Sequence, residues 1–411
     1  MVSPKGRRCR WIAASTAGAS ILGAAHLGLE TGLQPGAVKP SYRTMDALVL
    51  PTVAPREARL ASFVEPLMTY AGAGPATIEE LAKLLDASAL APSTDIHGAS
   101  LFENLQRLAT RSLQPALTQA YGSELLARGE LLREVIHALA VNGSVSQTSH
   151  STCAVTDLDL WLFRFHKSEA VRLVMELLTQ GSTQMAGGDR LTLPQDGLAS
   201  ASSDNRGPVQ SLLQTALMNA AVAATGMRYD VATDHIKTVP DPWGAQEELD
   251  AGSGLSDLSM ARVEEQLFGM DYQIFHPSRN RPEEALGGVT LDDWLSQNPS
   301  PPSSAPIILA INTNVGLHAE VFVERLPAGD RMATLNPWGA TTNPTGDGNE
   351  LGDALPVDTA AGEWSYGRLN FDHRLAAVHI PSALLPPPRF PTRIWVELQK
   401  LLGARLREDE A

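Results

Sequence analysis

The chain has 411 residues, a net charge of −14 and two cysteines. At roughly 150 residues per domain this is enough for two or three domains, or for one large core with insertions. The acidic balance and sparse lysine argue against nucleic acid or an anionic membrane surface as partner, and two cysteines exclude a disulfide framework.

Lys5, Arg7, Arg8 and Arg10 form a basic start, followed by an uncharged stretch from Ile12 to Leu27 with Gly23-Ala24-Ala25 as a small-residue cleavage signal. Residues 1–27 therefore read as a signal peptide or a leader, which leaves localisation between secreted and cytoplasmic. The stretch is too short and polar to span a membrane, and no other integral membrane segment is expected. If the leader is removed Cys9 goes with it, and Cys153 becomes a lone thiol.

Residues 28–53 read as a linker and 54–141 as a helical region without a catalytic cluster. Its helices are expected over Glu57–Tyr70, from a capping box at Thr77–Glu80 to about Asp86, from a second box at Ser100–Glu103, and over Glu124–Ala140, closing at Asn142-Gly143. Leu158, Trp161, Leu162 and Phe165 then repeat at helical spacing. Ser151 or Thr152 is the expected cap of that helix, and Ser168 the cap of the next.

Gly187-Gly188-Asp189 reads as a turn between short strands, 194–207 as loop, and Val209–Ala224 as a helix. A polar segment with Asp241-Pro-Trp-Gly244 precedes a helix over Met260–Phe268, a strand over Tyr272–Phe275 and a short helix from Thr290 to Leu295. After a loop at Pro301–Pro306 come strands at Ile307–Ile311, Leu317–Arg325 and Arg331–Leu335, the last two as a hairpin around Pro327–Asp330. Trp364–Phe371 and Ala376–Ile380 add strands. Residues 386–411 read as a C-terminal helix over Thr392–Leu406 and an acidic tail.

The chemistry gathers at three places. Cys153 falls in the first turn of its helix, where the partial positive charge of the helix N-terminus favours thiolate over thiol. Asp157 and Asp159 oppose that, because their charge raises a neighbouring thiol pKa, so an imidazolium partner is needed. Gln147, six positions earlier, can add an amide donor to the Cys153 backbone N–H for an oxyanion. His318 stands at the entrance of one hairpin strand and Asn336 just past its partner, so Asn336 can orient the imidazole. His150-Ser-Thr-Cys153 has an H-x-x-C spacing with no second pair to complete a metal site, and no phosphate loop is present, so neither metal nor cofactor is expected.

The order Gln147, Cys153, His318, Asn336, then Trp338 resembles the papain-like cysteine peptidases, and Leu335-Asn-Pro-Trp-Gly339 looks more like the calpain branch. The family's residues match one by one: Gln147 as oxyanion donor, Cys153 as nucleophile, His318 as acid and base, Asn336 as its orienter and Trp338 as cover of that bond. The resemblance implies an α+β fold of two lobes, a helical lobe with the nucleophile helix and an antiparallel sheet lobe, within residues 142–385. It implies hydrolysis of a protein or peptide substrate. Thr152 and Ala154 depart from the glycine and aromatic usual around the cysteine. That form looks more like papain-fold bacterial effectors and toxins, some of which deamidate or cross-link glutamines. A glutamine deamidase or transglutaminase-type effector and a non-catalytic protein-binding module are the alternatives.

Overall fold

The computed structural model describes residues 74–90, 93–140, 145–147, 150–193, 206–239, 250–276, 291–298, 304–313, 316–325, 331–335, 361–365 and 375–385, with Leu60, Ala61, Phe63, Leu67, Leu286 and Pro337. The expected leader and linker, the Asn142-Gly143 stop, the Asp241–Gly244 segment, the Thr290 cap and residues 386–411 lie outside them.

The first half is helical. Helices α1 (Pro75–Leu90), α2 (Leu101–Thr110), α3 (Pro115–Tyr121) and α4 (Glu124–Ala140) lead to α5 (Cys153–Phe165) and α6 (Lys167–Gln180). The Ser100 capping box forms with both of its bonds. The Thr77 box does not, because Pro75 starts α1 two residues earlier and the Gly74 carbonyl already accepts the Thr77 N–H. Ser168 likewise lies inside α6 and donates its hydroxyl to the Ala99 carbonyl on the neighbouring segment.

Strands β1 (Ser182–Gln184) and β2 (Arg190–Thr192) flank the glycine turn, and α7 (Pro208–Val222) follows. The polar segment after it holds three short antiparallel strands, β3 (Met227–Asp230), β4 (His235–Thr238) and β5 (Asp250–Gly252). Helix α8 (Asp257–Phe268) is closed by Gly269 at φ +67°, and leads through β6 (Tyr272–Phe275) and α9 (Leu291–Gln297) into the main sheet.

That sheet runs β10-β9-β8-β7-β11-β6, with β7 Ile307–Thr313, β8 Gly316–Arg325, β9 Arg331–Leu335, β10 Ala361–Ser365 and β11 Leu375–Pro381. Every pairing is antiparallel. The fold is thus mixed α and β, with helices and antiparallel sheets. One face of the sheet, through Ile308, Ala319, Val321 and Leu335, joins a buried apolar cluster that runs back to Phe63 and Leu67. The other face, through Ile307, Leu309, Ile311 and Phe322, packs with Trp294 and Leu295 of α9.

Two contacts fix α7 beneath the candidate site. Glu134 of α4 accepts the Val209 and Gln210 N–H groups, so one helix caps the N-terminus of another. Gly207 makes room for it: a Cβ there would lie 2.0 Å from Glu134 Oε1. Among the described residues no helix is long and apolar enough to cross a membrane.

Candidate active site

Cys153 is the first residue of α5 and is 2% exposed. It is a thiol rather than half of a disulfide. Thr152 stands at the N-cap with φ −105° and ψ 16°, and its side chain makes no capping bond. Its hydroxyl turns instead to Gln214 Oε1 at 3.2 Å. The first-turn amides of α5 are therefore not taken by the cap that the sequence suggested, and they still face the start of the helix.

The loop ahead of α5 is tied at both ends. The Gln147 N–H donates to the Pro337 carbonyl at 2.8 Å, which joins this loop to the segment following β9. The Gln147 side-chain amide donates to the His150 carbonyl at 2.9 Å, while the His150 N–H returns a bond to the Gln147 carbonyl at 3.1 Å. That fixes the side chain and leaves its second amide hydrogen for another acceptor. Nearer the cysteine, the Ser151 N–H and hydroxyl both bond the carboxylate of Asp234, from the turn between β3 and β4.

His318 lies on β8, which packs against α5, and is as buried as Cys153. Its Nε2 is 3.9 Å from Glu320 Oε1. Glu320 also accepts the Thr334 hydroxyl at 2.5 Å. Register puts His318 opposite Ile311 and Glu320 opposite Leu309, so both stand on the sheet face of the α9 cluster. Ala319 and Val321, on the other face, share the apolar cluster of α5. Asn336 and Trp338 lie outside the described residues. The structure thus brings the Gln147 loop to Pro337 and α5 to β8, and it adds Glu320 beside His318. Glu320 had a signal in the sequence, since a His-x-Glu step on a strand places both side chains on one face.

The electrostatics differ from the sequence expectation. Asp157, one helical turn after Cys153, is fully buried, and neither carboxyl oxygen has a hydrogen-bond partner among the described residues. Burial first, then the charges of Glu320 and Glu264, pushes it well above the usual carboxylate range. Asp159 is raised to about 7, mainly by burial, against the bond from Gln214. Burial thus works against the charged forms of Asp157 and Asp159 and weakens the opposition of both to a Cys153 thiolate. The sequence shows two acids near the cysteine but not the packing that disfavours their charged forms.

A second buried pair stands beyond them. His379 of β11 holds Glu264 of α8 at 3.0 Å; burial lowers the His379 pKa, but the Glu264 charge outweighs that and lifts it to about 9. Among the described residues no cluster of His, Cys, Asp or Glu side chains is arranged to hold a metal ion.

These groups give stability a definite pH dependence. A carboxyl whose folded pKa is raised stabilises the fold fully below its unfolded pKa, and that contribution is lost as pH rises through the folded value. Asp157, Asp159 and Glu134 (raised by burial to about 7) all act in this sense, and so does His379 up to about pH 9. The melting temperature should fall from pH 5 to pH 9. Asp157→Asn removes one of these protons from the balance, so it should raise the melting temperature at pH 8 more than at pH 5. An equal change at both pH values would show that Asp157 is charged in the fold.

Comparison of the chain with protein-family models, with curated proteins and with solved structures finds no match.

Proposed function

We propose that this chain is a cysteine peptidase of papain-like, two-lobed build. The observation that carries the reading is the start of α5: an uncapped helix N-terminus holds the Cys153 thiol, and the loop leading to it is bonded through Gln147 to Pro337 of the Asn-Pro-Trp-Gly stretch. Cys153 as thiolate attacks the substrate carbonyl carbon. The Cys153 N–H and the Gln147 amide take the oxyanion. We take the ring of His318, the third residue of β8, to reach round the strand end to the start of α5; as imidazolium it gives its proton to the leaving nitrogen as the C–N bond breaks, leaving a thioester. Water then attacks that carbonyl, His318 accepts the water proton, and the C–S bond breaks to release acid and thiolate. Asn336 orients the imidazole, with Trp338 over that bond, and Glu320 stabilises the imidazolium from the same strand.

A second reading rests on burial. Cys153, Gln147 and His318 are each 2% exposed. So closed a site favours a carbonyl carried at the tip of a side chain, such as a glutamine carboxamide, over an extended backbone. Deamidation or transglutamination runs through the same thioester, with ammonia as the first leaving group. The two readings separate on one assay pair: new α-amino groups from a denatured protein substrate, against ammonia released from glutamine peptides without chain cleavage. Neither product, together with no labelling of Cys153 by iodoacetamide, leaves a binding module.

A further inference from the structure

We propose that Asp234 is a positioning residue for Cys153, holding from the β3–β4 turn the Ser151 step on which α5 begins. This rests on the reading of Cys153 as nucleophile. Asp234 lies 83 residues from Ser151 in the chain, yet its carboxylate accepts the Ser151 N–H at 2.9 and 3.0 Å and the Ser151 hydroxyl at 2.9 Å. It also accepts the Tyr229 hydroxyl at 2.8 Å, and His150 Nδ1 stands 3.8 Å away. Burial raises the Asp234 carboxyl, but the bonds from His150, Ser151 and Tyr229 outweigh it and hold the group ionised below its usual range.

The other end of the brace is rigid. Asn219 of α7 grips Tyr229 by both backbone groups, accepting its N–H at 3.0 Å and donating to its carbonyl at 3.3 Å. A continuous run of bonds therefore links buried α7 to Tyr229, Asp234 and Ser151, two residues before Cys153. Such a brace acts at the site, because the β3–β4 turn bonds the loop ahead of α5 at Ser151 itself. The backbone carries a cost for it. Asp234 has φ +57°, the only positive φ of a non-glycine residue among those described. An L residue carries backbone strain there that glycine would not. A turn chosen for stability alone would carry glycine. The acid is kept where only its carboxylate reaches Ser151.

Two charges make the test specific. Asp234 is a negative charge bonded two residues ahead of Cys153, whereas burial favours the neutral form of Asp157 on α5 itself. On charge alone, removing Asp234 makes the thiolate easier to form. If Asp234 positions the cysteine at the helix N-terminus, removing it makes the thiolate harder to form. The experiment uses the full chain, as wild type, Asp234→Gly and Asp234→Asn. Iodoacetamide alkylation of Cys153 is followed from pH 5 to 10 by mass spectrometry of its peptide, beside the melting temperature. Glycine takes φ +57° without strain, so Asp234→Gly should melt within a few degrees of wild type. Its alkylation midpoint should nevertheless rise towards the unperturbed thiol value of about 8.5. On a substrate, kcat should fall by on the order of 10²-fold with KM little changed. Asp234→Asn, which tolerates the same φ and keeps one acceptor oxygen, should lie between.

A wild-type midpoint below 8 with both variants unmoved or lowered overturns the Asp234 proposal and leaves the nucleophile standing. Variants whose midpoint rises only in step with a loss of melting temperature make Asp234 structural, and also overturn it. A wild-type midpoint at or above that of an unperturbed thiol removes the nucleophile reading, and this inference with it.

Discussion

Cys153→Ala is expected to abolish turnover while leaving the fold in place. The Cys153 thiol is the group that forms the thioester, so its loss removes covalent catalysis rather than weakening it. The fold should survive because the change deletes one sulfur atom at the first residue of a helix whose remaining apolar residues, Val155, Leu158, Trp161 and Leu162, stay buried. The other site residues should form a graded series below it. Gln147→Ala removes one of two oxyanion donors and should cost on the order of 10²–10³ in kcat. It also frees the His150 carbonyl, so part of the loss comes from the loop. Asn336→Ala should cost less, since it orients without touching the reacting atoms. Glu320→Gln keeps the shape beside His318 and removes the charge, so it should lower the imidazole pKa and move the acidic limb of the pH–rate profile. Turnover by Cys153→Ala equal to wild type on a confirmed substrate would falsify the mechanism outright.

How far the sequence carried this site depends on the range of the forces involved. Glu124–Ala140, Tyr272–Phe275 and Arg331–Leu335 end where periodicity and local stop signals place them. Cys153 at the start of a helix was legible for the same reason: the apolar repeat that follows it is local. Helix starts at Thr77 and Ser168 were misplaced because each hydroxyl has a competitor, Pro75 in one case and a tertiary acceptor at Ala99 in the other. Strands β3 to β5 were not legible at all. They are three or four residues long, and runs such as Met227-Arg-Tyr-Asp230 carry no period of two strong enough to see. The upward shift of the Asp157 carboxyl and the grip of Asp234 on Ser151 depend on segments far away in the chain. No local pattern encodes a contact across 83 residues.

Deleting residues 1–120 is expected to unfold the protein rather than activate it. This separates an integral helical block from a removable pro-segment, the arrangement that papain-type resemblance offers as the rival. The block's side chains are core. Phe63, Leu67, Leu81, Leu85, Leu101, Leu105, Leu108, Leu113 and Leu117 are buried in the same cluster as Trp161 and Val321. At about 1.5–3 kcal/mol for each buried side chain, their loss is as large as the whole net stability of a typical domain, about 5–15 kcal/mol. The seam is also polar and exacting. Asn104 donates to the Ser168 carbonyl and to Asp95, the Ile96 N–H reaches Glu169, and the Gln114 N–H bonds the Leu178 carbonyl. Removing those partners opens α6 to water along the face that carries the buried Glu169–Arg172 pair. A pro-segment that leaves on activation lies on a finished surface, and no such surface exists beneath α2. Deleting residues 1–53 should leave the melting temperature unchanged, whereas deleting 1–120 should give insoluble protein or a loss of the cooperative transition in calorimetry. A shortened protein that melts cooperatively near the wild-type temperature and turns over faster would mean that the block is a pro-region after all.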